Sequence, residues 1–371
     1  IRRPPRSTQS RSSAASDVYK RQVENTIDST FVSSVGESVN KFENLIKEFT
    51  GIQYAIATVN GTAAMHIALE LSGVERETEV ITQSLTFVAT CNAIKYCGAI
   101  PVLIDVEKST LGMSPHKLEE FLDEYCEIRD DGFCWNHSTN RRISACLPMH
   151  TFGHVTQIEK IERICSLFNI NLIEDAAESL GSFFKGKHTG NFGKVSATSF
   201  NGNKIITSGG GGMILTNDEE LALKAKHITT TAKIPSLWSY DHDQIGYNYR
   251  LPNLNAALGV AQMEMLPEFL KSKRDIASKY QNWGKDNGVM FVSEHANCSS
   301  NYWLNCVVTE NENNRDLMLK VTNESNIMTR PIWKPMHKLP MYQNCQKTDL
   351  INTEWLYSRI VNVPSSPILI N

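Results

Sequence analysis

The chain has 371 residues, 41% hydrophobic and 21% charged, with 37 Lys and Arg against 40 Asp and Glu and a formal net charge of −3. That is the balance of a soluble globular protein with room for about two domains. It excludes a membrane span, because no stretch approaches about 18 uninterrupted apolar residues, and it offers nucleic acid no basic face.

Residues 1–22 (IRRPPRSTQSRSSAASDVYKRQ) come first and differ from the rest: five Arg and one Lys against one Asp, rich in Ser, without apolar periodicity. A transit peptide is also Arg- and Ser-rich, but it carries an amphipathic stripe that this segment lacks. The segment resembles a translated cloning or sequencing adaptor, or a disordered extension, standing where the authentic start would be, and it is expected to lie outside the fold. Without it the body holds 31 basic and 39 acidic residues, a net charge of −8.

From Val39 to Phe49 apolar residues recur at helical spacing, and Gly51 sits where a helix stops. A buried strand follows at QYAIATV, then a helix from Thr62 to Leu71, a strand at EVITQS, a helix through FVATCNAIKYC and a strand at IPVLIDV. Ser114 reads as an N-cap, with Pro115 at the first helical position of the next helix. ISACLPM, IEKIERICSLF and NLIEDA continue as strand, helix and strand. This alternation predicts an α/β fold, a mostly parallel central sheet with helices on both faces. The pattern breaks after Ala176, where KVSATSF and GGMILTN are strand-like runs with no room between them for a crossover helix. After Pro252 the chain turns helical through LNAALGVAQMEML and FLKSKRDIASKYQNW. A large domain over 23–252 and a smaller C-terminal α/β domain over 253–371 are therefore expected.

The nine cysteines are scattered without a C-x-x-C pair, which fits free thiols in a reducing cytoplasm. CWNH (Cys134 to His137) lacks the second half of a zinc site, and HTFGH lacks the Glu of a zinc-binding helix, so no metal site is expected.

In an open parallel sheet, ligands bind beyond the carboxyl ends of the strands. Four such loops carry suggestive side chains. In NGTAA, Gly61 permits close backbone approach, while Thr62 and the free helix N–H groups suit an anion; the same residues also make an ordinary capped turn. Phe87 places an aromatic face at a second strand end, where a core role is equally open. His150 stands at a third. IEDAAESLG ends a very apolar strand with Glu174, Asp175 and Glu178, carboxylates that need compensating donors if buried. Lys204, in SFNGNKIITSGGGG, follows Asp175 by 29 residues. An anion cradle, a stacking face, an acid for a ring nitrogen and an amine able to form an imine together match pyridoxal 5′-phosphate.

With these motifs the chain resembles the DegT/StrS family of sugar-nucleotide aminotransferases, whose fold is like that of aspartate aminotransferase (fold type I). The resemblance covers roughly residues 24 to 371 and is most specific in NGTAAMHIAL, TFVATCNAI, EDAAESLGS, SFNGNKIITSGGGGMILTND and GYNYRLPNLNAALG. QSLTFVAT, PMHTFGHV and TRPIWKPMHKLPM look most like the branch that aminates C4 of a UDP-linked 4-keto-6-deoxy-N-acetylhexosamine for legionaminic acid or bacillosamine-type sugars.

The resemblance implies that Lys204 joins the cofactor covalently and shuttles the proton, and that Asp175 keeps the pyridinium nitrogen protonated. It implies Gly61, Thr62 and Ser199 at the phosphate, Phe87 stacked on the ring and Glu178 near the 3′ oxygen, where many members carry Gln or His. Asn248 would reach the phosphate of a neighbouring copy, making a homodimer with shared active sites. His150, Arg330 and His337 are candidates at the sugar nucleotide, and L-glutamate is the implied amino donor. Another reaction of the same fold, or a nucleotide-sugar-binding relative without chemistry, is the alternative. The presence of both Lys204 and Asp175 argues for transamination.

Overall fold

The computed structural model describes residues 13–367. Residues 1–12 of the N-terminal segment and 368–371 of the C-terminal one lie outside the described residues. The chain opens with helices α1 (Ser13–Asp28) and α2 (Glu37–Thr50) and strand β1 (Tyr54–Thr58). The expectation that residues 1–22 stand outside the fold fails for 13–22: α1 packs along the later helix α8 (Asn253–Asn287), and the Tyr19 hydroxyl bonds Gln262. In α2 one apolar face, Val39, Phe42 and Ile46, is buried, and Gly51 closes the helix at φ 74°, a left-handed cap that glycine adopts without steric cost.

Alternation then runs as α3 (Gly61–Leu71), β2 (Glu79–Gln83), α4 (Val88–Tyr96), β3 (Ile100–Ile104) and α5 (Pro115–Tyr125). Ser114 caps α5 by accepting from Lys117 N, with Pro115 in the first turn. A hairpin of β4 (Cys126–Ile128) and β5 (Cys134–Asn136) precedes β6 (Arg141–Leu147), α6 (Ile158–Leu167) and β7 (Asn171–Asp175). Short strands β8 (Phe183–Phe184) and β9 (Lys187–His188) lead to β10 (Val195–Ser199), β11 (Gly212–Thr216) and α7 (Glu219–Thr229).

The main sheet runs β1-β11-β10-β7-β6-β2-β3. Pairs from β10 through β3 are parallel, whereas β11 is antiparallel to both β1 and β10. The Lys204 loop, residues 200–211, explains this: it holds no helix to cross over a sheet face, as parallel neighbours usually require, and an antiparallel return needs none. The parallel strands are mostly buried and sandwiched between two apolar clusters, one beneath α3 and α7 and one beneath α5 and α6.

After α8 come β12 (Met290–Phe291), β13 (Cys298–Ser299), β14 (Asn305–Val308), α9 (Glu312–Glu324), β15 (Arg330–Pro331), α10 (Ile351–Tyr357) and β16 (Ile360–Val363). Strands β12-β14-β16-β15 make a second, antiparallel sheet. The 35-residue α8 serves both layers. Ala256, Val260, Leu266 and Phe269 belong to the cluster that holds Phe42 and Phe200, and farther along Gly284 meets Phe291 of the second sheet. Leu85 and Phe152 of the first layer share a fourth cluster with Trp303, Cys306 and Ile360 of the second.

Candidate active site

The carboxyl ends of β1, β2, β7 and β10 open on one cleft of about 320 Å³, bounded by Asn60–Thr62, Phe87, Asp175, Lys204 and, from the second layer, Trp303 and Trp333. Asp175 is the last residue of β7 and only 3% exposed. Thr90 Oγ1 donates to its Oδ2 at 2.7 Å, and Ala177 N to its Oδ1 at 3.2 Å. Burial raises its pKa above the usual aspartate value despite these donors and the Lys204 charge. A cation set against this carboxylate would bring the pKa back down.

Glu174, one residue earlier, faces the other way, as alternation along a strand requires. Its Oε2 accepts from His150 Nε2 at 2.9 Å and Gly190 N at 2.8 Å, and its Oε1 from Phe192 N at 2.6 Å and Gly193 N at 2.7 Å. Burial pushes this carboxyl up, but the His150 and backbone donors outweigh it and hold the pKa below the ordinary value. His150 is therefore turned away from the residues that line this chain's cleft. Its side chain is 0% exposed and serves the buried Glu174.

At the N-terminus of α3, Asn60 Oδ1 accepts from Ala63 N at 2.8 Å, leaving the amides of Gly61 and Thr62 at the positive end of the helix dipole. A Cβ on Gly61 would sit 2.7 Å from Ser199 Cβ, so glycine is what lets this helix end meet β10. A Cβ on Gly212 would collide with the Asn60 carbonyl. The run of glycines after Lys204 thus includes a position where two backbones touch.

Lys204 Nζ donates to Glu178 Oε1 at 3.2 Å and lies 4.3 Å from the centre of the Trp303 ring. Burial pushes Glu178 up to about 7, with Lys204 and the Phe152 N–H donating to Oε2 at 3.0 Å as partial offsets. Phe87 is 46% exposed and tilts against Trp333 at 5.8 Å, so one aromatic face is free toward the cleft mouth.

Three further sequence candidates lie outside this chain's cleft. His337 bonds Ser84 Oγ through Nδ1 at 2.8 Å and Glu354 Oε1 through Nε2 at 2.6 Å. Arg330 is exposed, its guanidinium on Asn323 Oδ1 at 3.1 Å and Thr329 O at 2.9 Å. Asn248 bridges to Thr230 and accepts from Arg250 Nε at 3.2 Å. Sequence reasoning missed Thr90, Trp303 and Trp333. Thr90 lay within a motif already singled out, three residues after Phe87, which on a helix is the same face.

The residues fit pyridoxal 5′-phosphate by their chemistry. A helix end that a Cβ at Gly61 would close suits a phosphate, a buried carboxylate suits a protonated ring nitrogen, and a primary amine faces the same space.

A family model described as the DegT/DnrJ/EryC1/StrS aminotransferase family matches residues 15–371. The chain is 40% identical over 315 residues to the putative pyridoxal phosphate-dependent aminotransferase EpsN of Bacillus subtilis, covering 85% of this chain and 78% of that protein. It is 37% identical over 352 residues to the GDP-perosamine synthase of Escherichia coli O157:H7, covering 95% and 91%. Among solved structures, a DegT DnrJ EryC1 StrS aminotransferase from Brucella abortus superposes with a TM-score of 0.87 at 27% identity, over 97% of this chain and 93% of that one.

Proposed function

The chain belongs to the DegT/DnrJ/EryC1/StrS aminotransferase family, whose enzymes use pyridoxal 5′-phosphate, and from that premise we propose that it transfers an amino group from L-glutamate to C4 of a nucleotide-linked 4-keto-6-deoxy sugar. In this reading the nucleotide is UDP, the sugar an N-acetylhexosamine, and the product an amino sugar of a surface polysaccharide made in the cytoplasm. The observation that carries the reading is the opening of Lys204, Asp175 and the α3 N-terminus on one cleft.

When bound, pyridoxal 5′-phosphate supplies the carbonyl that receives the amino group and the ring that draws electrons from the bond being broken. The protein does the rest. Gly61, Thr62 and Ser199 bind the phosphate, Phe87 packs on the ring, and Asp175, oriented by Thr90, holds the proton on the ring nitrogen. Lys204 moves a proton at the reacting carbon, and Glu178 receives the lysine ammonium between transfers. Asn248 serves a second copy's phosphate in a homodimer with shared sites.

The relatives named GDP-perosamine synthase favour a second reading, in which the nucleotide is GDP. One experiment separates the two. The protein is loaded with pyridoxal 5′-phosphate, its visible band is followed on adding L-glutamate, and UDP- and GDP-linked 4-keto-6-deoxy sugars are offered in parallel, with the product's mass recorded. Loss of the band with glutamate and amination of the UDP sugar is the expected result. Amination of the GDP sugar alone would move the substrate assignment, and a band that glutamate leaves unchanged would remove the donor.

A further inference from the structure

Glu178 and Lys204 belong to different loops, and each is gripped through its backbone by the same short stretch of the second layer. The Asn301 amide donates from Nδ2 to Glu178 O at 2.8 Å and to Leu180 O at 2.9 Å. Two residues on, Trp303 Nε1 donates to Asn203 O at 2.7 Å, one residue before Lys204. The two grips are tied together, because Trp303 N donates to Asn301 Oδ1 at 2.8 Å. The indole ring itself lies 4.3 Å from Lys204 Nζ.

This stretch is held hard. Tyr302, between the two, has φ 46°, a left-handed conformation that a bulky residue keeps only where its surroundings over-determine it. Ser300 Oγ donates to Gly153 O at 2.9 Å, and Asn301 N donates to Ser182 Oγ at 3.0 Å. From α8, Lys273 donates to Trp303 O at 3.0 Å and to Ser365 O at 2.7 Å. Lys273 is 4% exposed, and burial lowers its pKa to about 8. An ammonium buried against carbonyl oxygens is costly, so its presence needs a reason beyond filling space.

We propose that Asn301 and Trp303, anchored by Lys273, are positioning residues that set the separation of Lys204 and Glu178. Their hydrogen bonds go to backbone carbonyls of both loops and to neither reacting side chain, although the Trp303 ring also lies against Lys204 Nζ. They thereby fix the backbones from which both side chains reach, so the second layer decides where the Lys204 amine stands in the first. The inference rests on the reading of Lys204 as the reacting lysine.

The test compares Trp303→Phe, which keeps a ring beside Lys204 but loses the indole donor, with Lys273→Met, which loses the anchor. In the cofactor-free protein, competitive acetylation by acetic anhydride reports the reactivity of Lys204 against the exposed Lys226, resolved by peptide mass spectrometry. Both variants should change the relative reactivity of Lys204 by roughly fivefold, the equivalent of one hydrogen bond. In the loaded enzyme kcat should fall by roughly five- to tenfold with the KM for the amino donor unchanged. Unchanged Lys204 reactivity in both variants overturns the proposal, as does a loss confined to KM. Lys204→Ala separates the premise: retained turnover there would refute the reading of Lys204, while the acetylation result still judges the positioning.

Discussion

Lys204 Nζ and Glu178 Oε1 stand 3.2 Å apart, with side chains 11% and 2% exposed, at a cleft whose other acid, Asp175, is itself almost wholly buried. A lone ammonium there would be expensive, and Glu178 is what makes it tolerable. Replacing the amine removes the group proposed to move the proton and leaves Glu178 able to become neutral. Lys204→Ala should therefore keep the wild-type circular dichroism spectrum while turnover falls by at least roughly a thousandfold. Retained turnover in a folded variant would show that another base does the work.

Glu178 should also mark the pH dependence of stability. Its carboxyl titrates near 4.5 when unperturbed and is pushed up to about 7 in the fold, chiefly by burial. Between those values the folded protein binds more protons than the unfolded chain, so this group lowers stability as pH rises through the window. Glu178→Gln abolishes the titration and keeps an acceptor for Lys204. The variant should gain stability relative to wild type on going from about pH 5 to about pH 8, as measured by urea unfolding. Parallel pH curves for the two proteins would place the titration elsewhere.

The order of elements was legible because its signals are local. Ser114 and Pro115 announce α5, Gly51 ends α2, and apolar residues such as those of IPVLI and SACL mark parallel strands. The α7 signal was equally local and was passed over: Asp218 as N-cap, Glu219 and Glu220 in the first turn, Lys226 and His227 in the last. What sequence could not supply is pairing across the fold. Asp175 meets Thr90 only because β7, β6 and β2 lie side by side. His150 was misplaced for a related reason. Pro148 follows the end of β6, and beyond it Met149 takes the cleft side while His150 turns to Glu174. Trp303 and Trp333 come from a second layer whose docking no strand-end rule describes.

The turn of His150 toward Glu174 has its own measurable cost. Glu174 is held below its ordinary pKa of 4.5 by donors that include His150, so it contributes stability above that pH and loses it as pH falls below. His150→Ala deletes one of four donors to a buried carboxylate, and should cost about 2–3 kcal/mol near neutral pH in urea unfolding. The deficit should narrow in acid, where the carboxyl is protonated in both proteins. A deficit that stays constant from neutral pH into acid would mean that the imidazole acts by packing alone.

The phosphate cradle gives the most local test, because Gly61 is fixed by space rather than by backbone angle. A Cβ there would come within 2.7 Å of Ser199 Cβ and 3.3 Å of its Cα, so α3 and β10 must separate to admit it. The helix amides then retreat from the site where the phosphate is proposed to sit. Gly61→Ala should weaken pyridoxal 5′-phosphate binding by roughly tenfold or more, followed by absorbance titration, since the charge-assisted bonds at a helix end lengthen together. Gly202→Ala is the matched control, because nothing lies within 4 Å of a Cβ built on Gly202, although it sits only two residues from Lys204. If Gly61→Ala binds the cofactor as tightly as Gly202→Ala does, the close approach of α3 to β10 is a packing feature and the phosphate is held elsewhere.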